Sequence, residues 1–132
     1  MSKGAKITYW IATLWLSLGM FSTGLVQLLR MDEEVAKMNG LGYPSYLMLI
    51  LGAWKMAGVA AVLAPGLGLL KEWAYAGFFF AMSGAAVSHI FVGDPITEIL
   101  PSILLLVLTV VSWYLRPESR KTGIREKFEE AI

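Results

Sequence analysis

The sequence contains no cysteine, which removes disulfides, thiolate-held metals and dithiol redox relays from consideration. It contains a single histidine, too few for a bis-imidazole haem site or a zinc tetrad, and no metal site is expected. Charge is scarce too. Only 16% of residues are Asp, Glu, Lys or Arg while 57% are hydrophobic, and a small soluble domain needs more charge than that to cover its surface. A net charge of +1 argues against a nucleic-acid partner. There is no Gly-rich dinucleotide loop, no phosphate-binding loop and no Ser-His-Asp set.

What the chain has instead is four long apolar segments. Ile7 to Leu29 and Ile99 to Leu115 carry no charge, Trp73 to Gly93 carries one His, and Tyr46 to Leu63 is interrupted only by Lys55. Each approaches the ~17–25 residues that a helix needs to cross ~30 Å of hydrocarbon. The first reads as a span and not as a cleaved signal peptide, being longer than a signal's apolar region. The fourth starts with Pro101 in its first turn, where proline is tolerated.

Short connections such as "APGLGLLKEW" and "VGDPITE" make sequential helices antiparallel neighbours. The expected fold is an all-α membrane protein, a four-helix transmembrane bundle running up-down-up-down. Residues 1–116 make the four-span domain and 117–132 a short cytoplasmic tail. In that tail Ile124, Phe128 and Ile132 recur four apart, as in an amphipathic surface helix, and a frayed tail accounts for them equally well.

Lys3, Lys6, Lys71, Arg116, Arg120, Lys121, Arg125 and Lys127 fall on one side of this plan, and only Arg30 and Lys37 on the other. That bias places both termini in the cytoplasm, with a bacterial inner membrane as the expected location. Tyr9, Trp10, Tyr43, Tyr46, Trp73, Tyr75, Trp113 and Tyr114 sit near span ends, as interfacial belts do. Asp32, Glu33 and Glu34 read as a solvated helix start rather than a cation site.

Helices in lipid associate through small residues and buried polar groups. The first span offers Thr13, Ser17, Met20, Gly24 and Gln27 on one face, the third Gly77, Ala81, Gly84 and Ser88, and the fourth Ser102, Thr109, Ser112 and Arg116. Lys55 is the anomaly. It lies close to the midplane, ~15 Å below the start of its span, where a lysine costs ~2.5–3.5 kcal/mol. Gly52 and Gly58 strip the adjoining turns of bulk, and no acid stands at matching depth in the other spans. Two readings stay open: snorkelling toward one rim, or a polar cavity in which Lys55 meets a ligand. His89 and Gln27, each needing a hydrogen-bond partner, lie higher in the third and first spans. The candidate ligand-binding set is Lys55, His89, Gln27, Trp54, Gly52, Gly58 and Ser88, and no catalytic residue is assigned.

The stretch "APGLGLLKEWAYAGFFFAMSGAAVSHIFVGD", with "LGAWKMAGV" before it, resembles the DoxX-like membrane proteins, in a subgroup marked by KEWAYAG. The resemblance runs from about Tyr9 to Arg116 and implies a four-helix membrane bundle. It also implies a link to quinone-handling redox systems, or to membrane assembly. No catalytic set carries over residue by residue.

Two functions follow as expectations. In one, an intramembrane cavity around Lys55 accepts a quinone or similar small apolar ligand, with His89 or Gln27 assisting. Met20, Met82 and Phe78–Phe80 supply apolar walls. Electrons then come from a redox partner subunit, so the chain is at most part of a quinone-linked oxidoreductase. In the other, the chain is a non-enzymatic assembly or chaperone protein, or a lipid-binding one. The lipid bilayer is a partner in both.

Overall fold

The computed structural model describes residues 2–29 and 31–117; the tail expected over 117–132 lies, but for its first residue, outside the described residues. Among the described residues five helices follow one another: α1 (Lys3–Leu28), α2 (Asp32–Gly40), α3 (Leu47–Leu63), α4 (Gly68–Phe91) and α5 (Ile96–Tyr114). Helices α1, α4 and α5 are long and apolar enough to cross a membrane. Helix α3 is equally apolar but has 17 residues, ~25 Å of helix at ~1.5 Å per residue. The four expected apolar segments are therefore all helical, one of them short, and α2 is an added fifth helix. Its first turn holds Asp32, Glu33 and Glu34, acids that complement the positive end of a helix dipole.

Two further starts have a local cause. Ser2 caps α1, its hydroxyl accepting from the Ala5 amide at 3.1 Å. Pro95 stands just before α5 and Glu98 lies in the first turn. That start corrects the expected position of Pro101. The helix begins at Ile96, five residues earlier than the proline, so Pro101 sits inside it and leaves one ladder bond unmade.

Helix α1 packs on α3 and α5, and α4 packs on the same two, so the four apolar helices close a ring. Leu16, Met20, Val62, Phe78, Met82 and Leu105 belong to the apolar cluster at its centre. The polar residues are distributed the opposite way from a soluble protein. Thr13, Ser17, Gln27, Lys55, Lys71, Thr109 and Ser112 are buried, whereas Ile11, Leu18, Phe80, Val107 and many other large apolar side chains face outward. Lipid as the surrounding solvent produces this arrangement, because polar atoms can be satisfied only inside.

Two expected faces hold. Thr13, Ser17, Met20, Gly24 and Gln27 of α1 are all buried, as are Ser102, Thr109 and Ser112 of α5. The expected face of α4 does not. Lys71, Tyr75, Phe78, Met82 and Ala86 turn inward, while Gly77 and Gly84 are exposed, with open space where a Cβ would stand. Bulk decides the outcome: the ring's centre needs filling, and Phe78 and Met82 fill it. Tyr9 and Tyr75 likewise turn inward instead of joining the interfacial belt. The Ser112 hydroxyl stands 2.6 Å from that of Thr13 and 2.8 Å from that of Tyr75, tying α1, α4 and α5 together at one end of the bundle.

The turn between α3 and α4 takes only four residues. Ala64 is extended, as a residue before proline must be, and Gly66 and Leu67 both have positive φ, at 71° and 53°. For leucine that backbone is strained by ~1–3 kcal/mol. Lys71 offsets the strain. Wholly buried, its Nζ donates to the carbonyls of Ala61 at 2.8 Å, Gly66 at 2.5 Å and Ala64, the acceptors left over where α3 ends. The lysine read from the sequence as a loop charge is thus a brace inside the bundle.

Replacing Lys71 by Met should therefore destabilise the protein by at least ~2 kcal/mol, since three carbonyls lose a charged donor at once. Unfolding in mixed detergent, followed by circular dichroism, measures this, and a midpoint equal to wild type would contradict the brace.

Candidate functional site

Lys55 is the ninth residue of α3, at its centre, and is 8% exposed. Its Nζ donates to Thr23 Oγ1 of α1 at 3.2 Å, and Thr23 in turn donates to the Met20 carbonyl at 3.3 Å. Glu34, on α2, is close enough to Lys55 to interact electrostatically. Glu34 also stands 3.7 Å from Lys37, a more exposed pair. The expectation concerns acids at matching depth in the other spans, and Glu34 comes instead from α2 in the connecting segment.

The two glycines beside Lys55 do not leave empty space. A Cβ built on Gly52 would stand 2.8 Å from the Gly24 carbonyl oxygen and 2.8 Å from Leu28 Cγ. One on Gly24 would stand 3.0 Å from Lys55 Cβ. The pair lets α1 and α3 approach backbone to backbone, which places Thr23 within reach of the lysine. At Gly58 the Phe78 ring occupies the space, 2.6 Å from where a Cβ would be.

The cavity lies on the other side of α3. A groove of about 550 Å³ runs between α3 and α4, lined by Lys55, Trp54, Gly58, Trp73, Gly77, Phe78 and small or aliphatic neighbours. It is open along one side, and Trp54 and Trp73, 69% and 65% exposed, flank it. A second groove, about 420 Å³, lies between α4 and α5. Its carboxylate, Glu72, accepts from Trp113 Nε1 at 3.0 Å and pairs with Arg116 at 2.7 Å, and the Arg116 guanidinium lies 4.9 Å from the Trp113 ring centre. Its one carboxylate is already neutralised by that ion pair, although Arg116 Nε keeps no hydrogen-bond partner among the described residues, and the Lys55 groove, with a lysine that forms no ion pair, is the better site.

Of the seven residues singled out in the sequence, Lys55, Trp54 and Gly58 line the groove and Gly52 supports it from the α1 side. Gln27, His89 and Ser88 are not in its lining. His89 Nδ1 stands 2.6 Å from Asp94 Oδ2, and the Ser88 hydroxyl 2.6 Å from that of Tyr43. Gln27 is buried and its Oε1 has no hydrogen-bond partner among the described residues. Of the expected apolar walls, Met20, Phe78 and Met82 pack in the core, Phe78 also lining the groove, while Phe79 and Phe80 face outward. Sequence reasoning missed Thr23, Glu34 and Trp73. Thr23 stands one turn from Gln27 on α1, a spacing that could have found it; the approach of Glu34 depends on how α2 folds back.

With α1, α4 and α5 long and apolar, and residues 11–112 matching the model of the DoxX-like family, the class is settled: the chain is an integral membrane protein. It belongs to the DoxX-like family. No curated protein and no solved structure matches it.

Two substitutions separate packing from function here. Gly52→Ala should cost ~1–3 kcal/mol, because the atoms in the way include backbone that cannot move aside. Lys55→Met should fold as well as wild type or better, since it removes a buried charge whose one hydrogen bond goes to a neutral hydroxyl and which has no acid within ion-pair distance among the described residues. Thermal midpoints in detergent test both. A midpoint for Lys55→Met well below wild type would make the lysine a structural brace.

Proposed function

We propose that the protein binds a membrane-dissolved quinone, or a similar small apolar ligand with an oxygen head, in the groove between α3 and α4. Lys55 is the group that holds the head. The observation carrying this reading is one lysine lining an otherwise apolar, side-open groove flanked by two tryptophans. A ligand already dissolved in the bilayer enters such a groove laterally and needs no aqueous route. A largely desolvated lysine is a strong electrostatic partner for a carbonyl or phenolate oxygen. The chain then acts as the ligand-holding subunit of a redox system, with electrons supplied by a partner subunit.

The topology that accompanies this reading is four spans, up-down-up-down, in a bacterial inner membrane with both termini cytoplasmic, formed by residues 1–116 within the KEWAYAG subgroup. Gln27, His89 and Ser88 lie outside the groove and are assigned no direct contact with the ligand. One observation favours a second reading, a membrane assembly protein. Gly77 and Gly84 leave open space on the exposed face of α4, where another helix could approach closely.

The test is mass spectrometry of small molecules extracted from gently purified wild type and Lys55→Met. Quinone enriched several-fold over the lipid pool in wild type, and lost in the variant, is the expected result. Bulk lipid alone in both samples would sink the quinone reading and turn attention to partner helices on α4.

A further inference from the structure

The chemistry of the groove wall is one-sided. Among the described residues that line it, only Lys55, Trp54 and Trp73 carry polar side-chain atoms. All three are donors: the lysine Nζ and two indole N–H groups. Among the described residues the wall holds no side-chain oxygen. The backbone does little to supply it. A helix interior spends its carbonyls on its own ladder, and free ones occur only over the last turn. Ala61, the groove residue nearest the end of α3, has its carbonyl engaged by Lys71 Nζ at 2.8 Å. The neighbouring carbonyls of Ala64 and Gly66 are taken by the same ammonium.

From this we infer that the groove selects ligands whose head only accepts hydrogen bonds, a carbonyl oxygen above all, and rejects the corresponding hydroxyl compounds. For a quinone this means that the oxidised form binds and the hydroquinone leaves. The inference rests on the groove being a ligand site, and it adds the class of ligand. A carbonyl set against Lys55 satisfies both partners. A hydroxyl in the same place can accept from Lys55, but its own hydrogen then faces a wall with no side-chain acceptor, and a buried donor without a partner is costly. The groove extends from Leu51 to Ala61 along α3, ~15 Å of helix at ~1.5 Å per residue. That length suits a ring with a short alkyl tail.

The experiment uses the full chain in nanodiscs of zwitterionic lipid, without oxygen, and two matched ligand pairs. The first is 2-decyl-1,4-benzoquinone and its hydroquinone. The second, free of redox chemistry, is a terminally brominated long-chain methyl ketone and its secondary alcohol, whose bromine quenches tryptophan on contact. Binding of the brominated pair is read directly from tryptophan quenching, and the hydroquinone by its ability to displace the quinone. In both pairs the carbonyl form should bind ~10-fold or more tightly. Ala57→Ser, which adds a hydroxyl oxygen to the wall, should shrink that ratio by ~3-fold or more.

Equal affinity within each pair would overturn the inference while leaving quinone retention by the purified protein standing. A ketone preference with no saturable quinone binding upholds the inference and removes the quinone reading. No saturable binding of any of the four compounds removes both.

Discussion

The contact on which the rest of the bundle depends is the insertion of Lys71 into the carbonyl end of α3. A helix that stops inside or at the edge of a membrane leaves acceptors that water cannot easily reach, and each is expensive if left bare. Lys71 satisfies three of them and holds a turn in which leucine adopts a left-handed backbone. Because Lys71 belongs to α4, the same bonds fix how α4 leaves α3. That departure sets the groove between the two helices. A brace built for backbone reasons therefore also decides the groove's shape and removes acceptors from its wall.

The opposite face of α3 is set by glycine. Gly24 and Gly52 bring α1 close enough for Thr23 to receive Lys55, so one flank of the lysine is dry and packed while the other opens on the groove. A lysine placed between a fixed acceptor and an open apolar channel is held in position without being fully consumed. It retains N–H donors beyond the one given to Thr23, and the bundle's polar clusters elsewhere do not compete for them. Ser112 bonds to Thr13 and Tyr75, and Glu72 pairs with Arg116 and Trp113, at sites apart from the lysine.

Apolar periodicity made the four long helices legible in the sequence, and small or polar residues at helical spacing revealed the buried faces of α1 and α5. The same rule misplaced the face of α4. Gly77 and Gly84 suggest close packing, but the centre of a four-membered ring needs volume, and Tyr75, Phe78 and Met82 provide it. Pattern alone cannot weigh a void against a seam. Lys71 was hidden for another reason: a lysine next to Glu72 near a Pro-Gly turn looks like a loop charge until the direction of the turn is known. Lys55 was visible because it interrupts an apolar run. Its surroundings were not, since Thr23 reaches it and the charge of Glu34 acts on it only through tertiary approach, and Gly52 and Gly58 suggested space that α1 and Phe78 occupy.

The short length of α3 has a consequence for the bilayer itself. At 17 residues it falls several ångströms short of ~30 Å of hydrocarbon, while α1 and α4, at 26 and 24, exceed it. Lipid meeting a protein with one low wall thins or tilts to match, at a cost that grows with each ångström of mismatch. A bilayer crossed by α3 as well would be dimpled on that side of the ring, and Lys55 would lie closer to headgroups and water than its central place in the helix suggests. Bilayer thickness then becomes a control on the groove: a thinner membrane hydrates the lysine, and a thicker one isolates it.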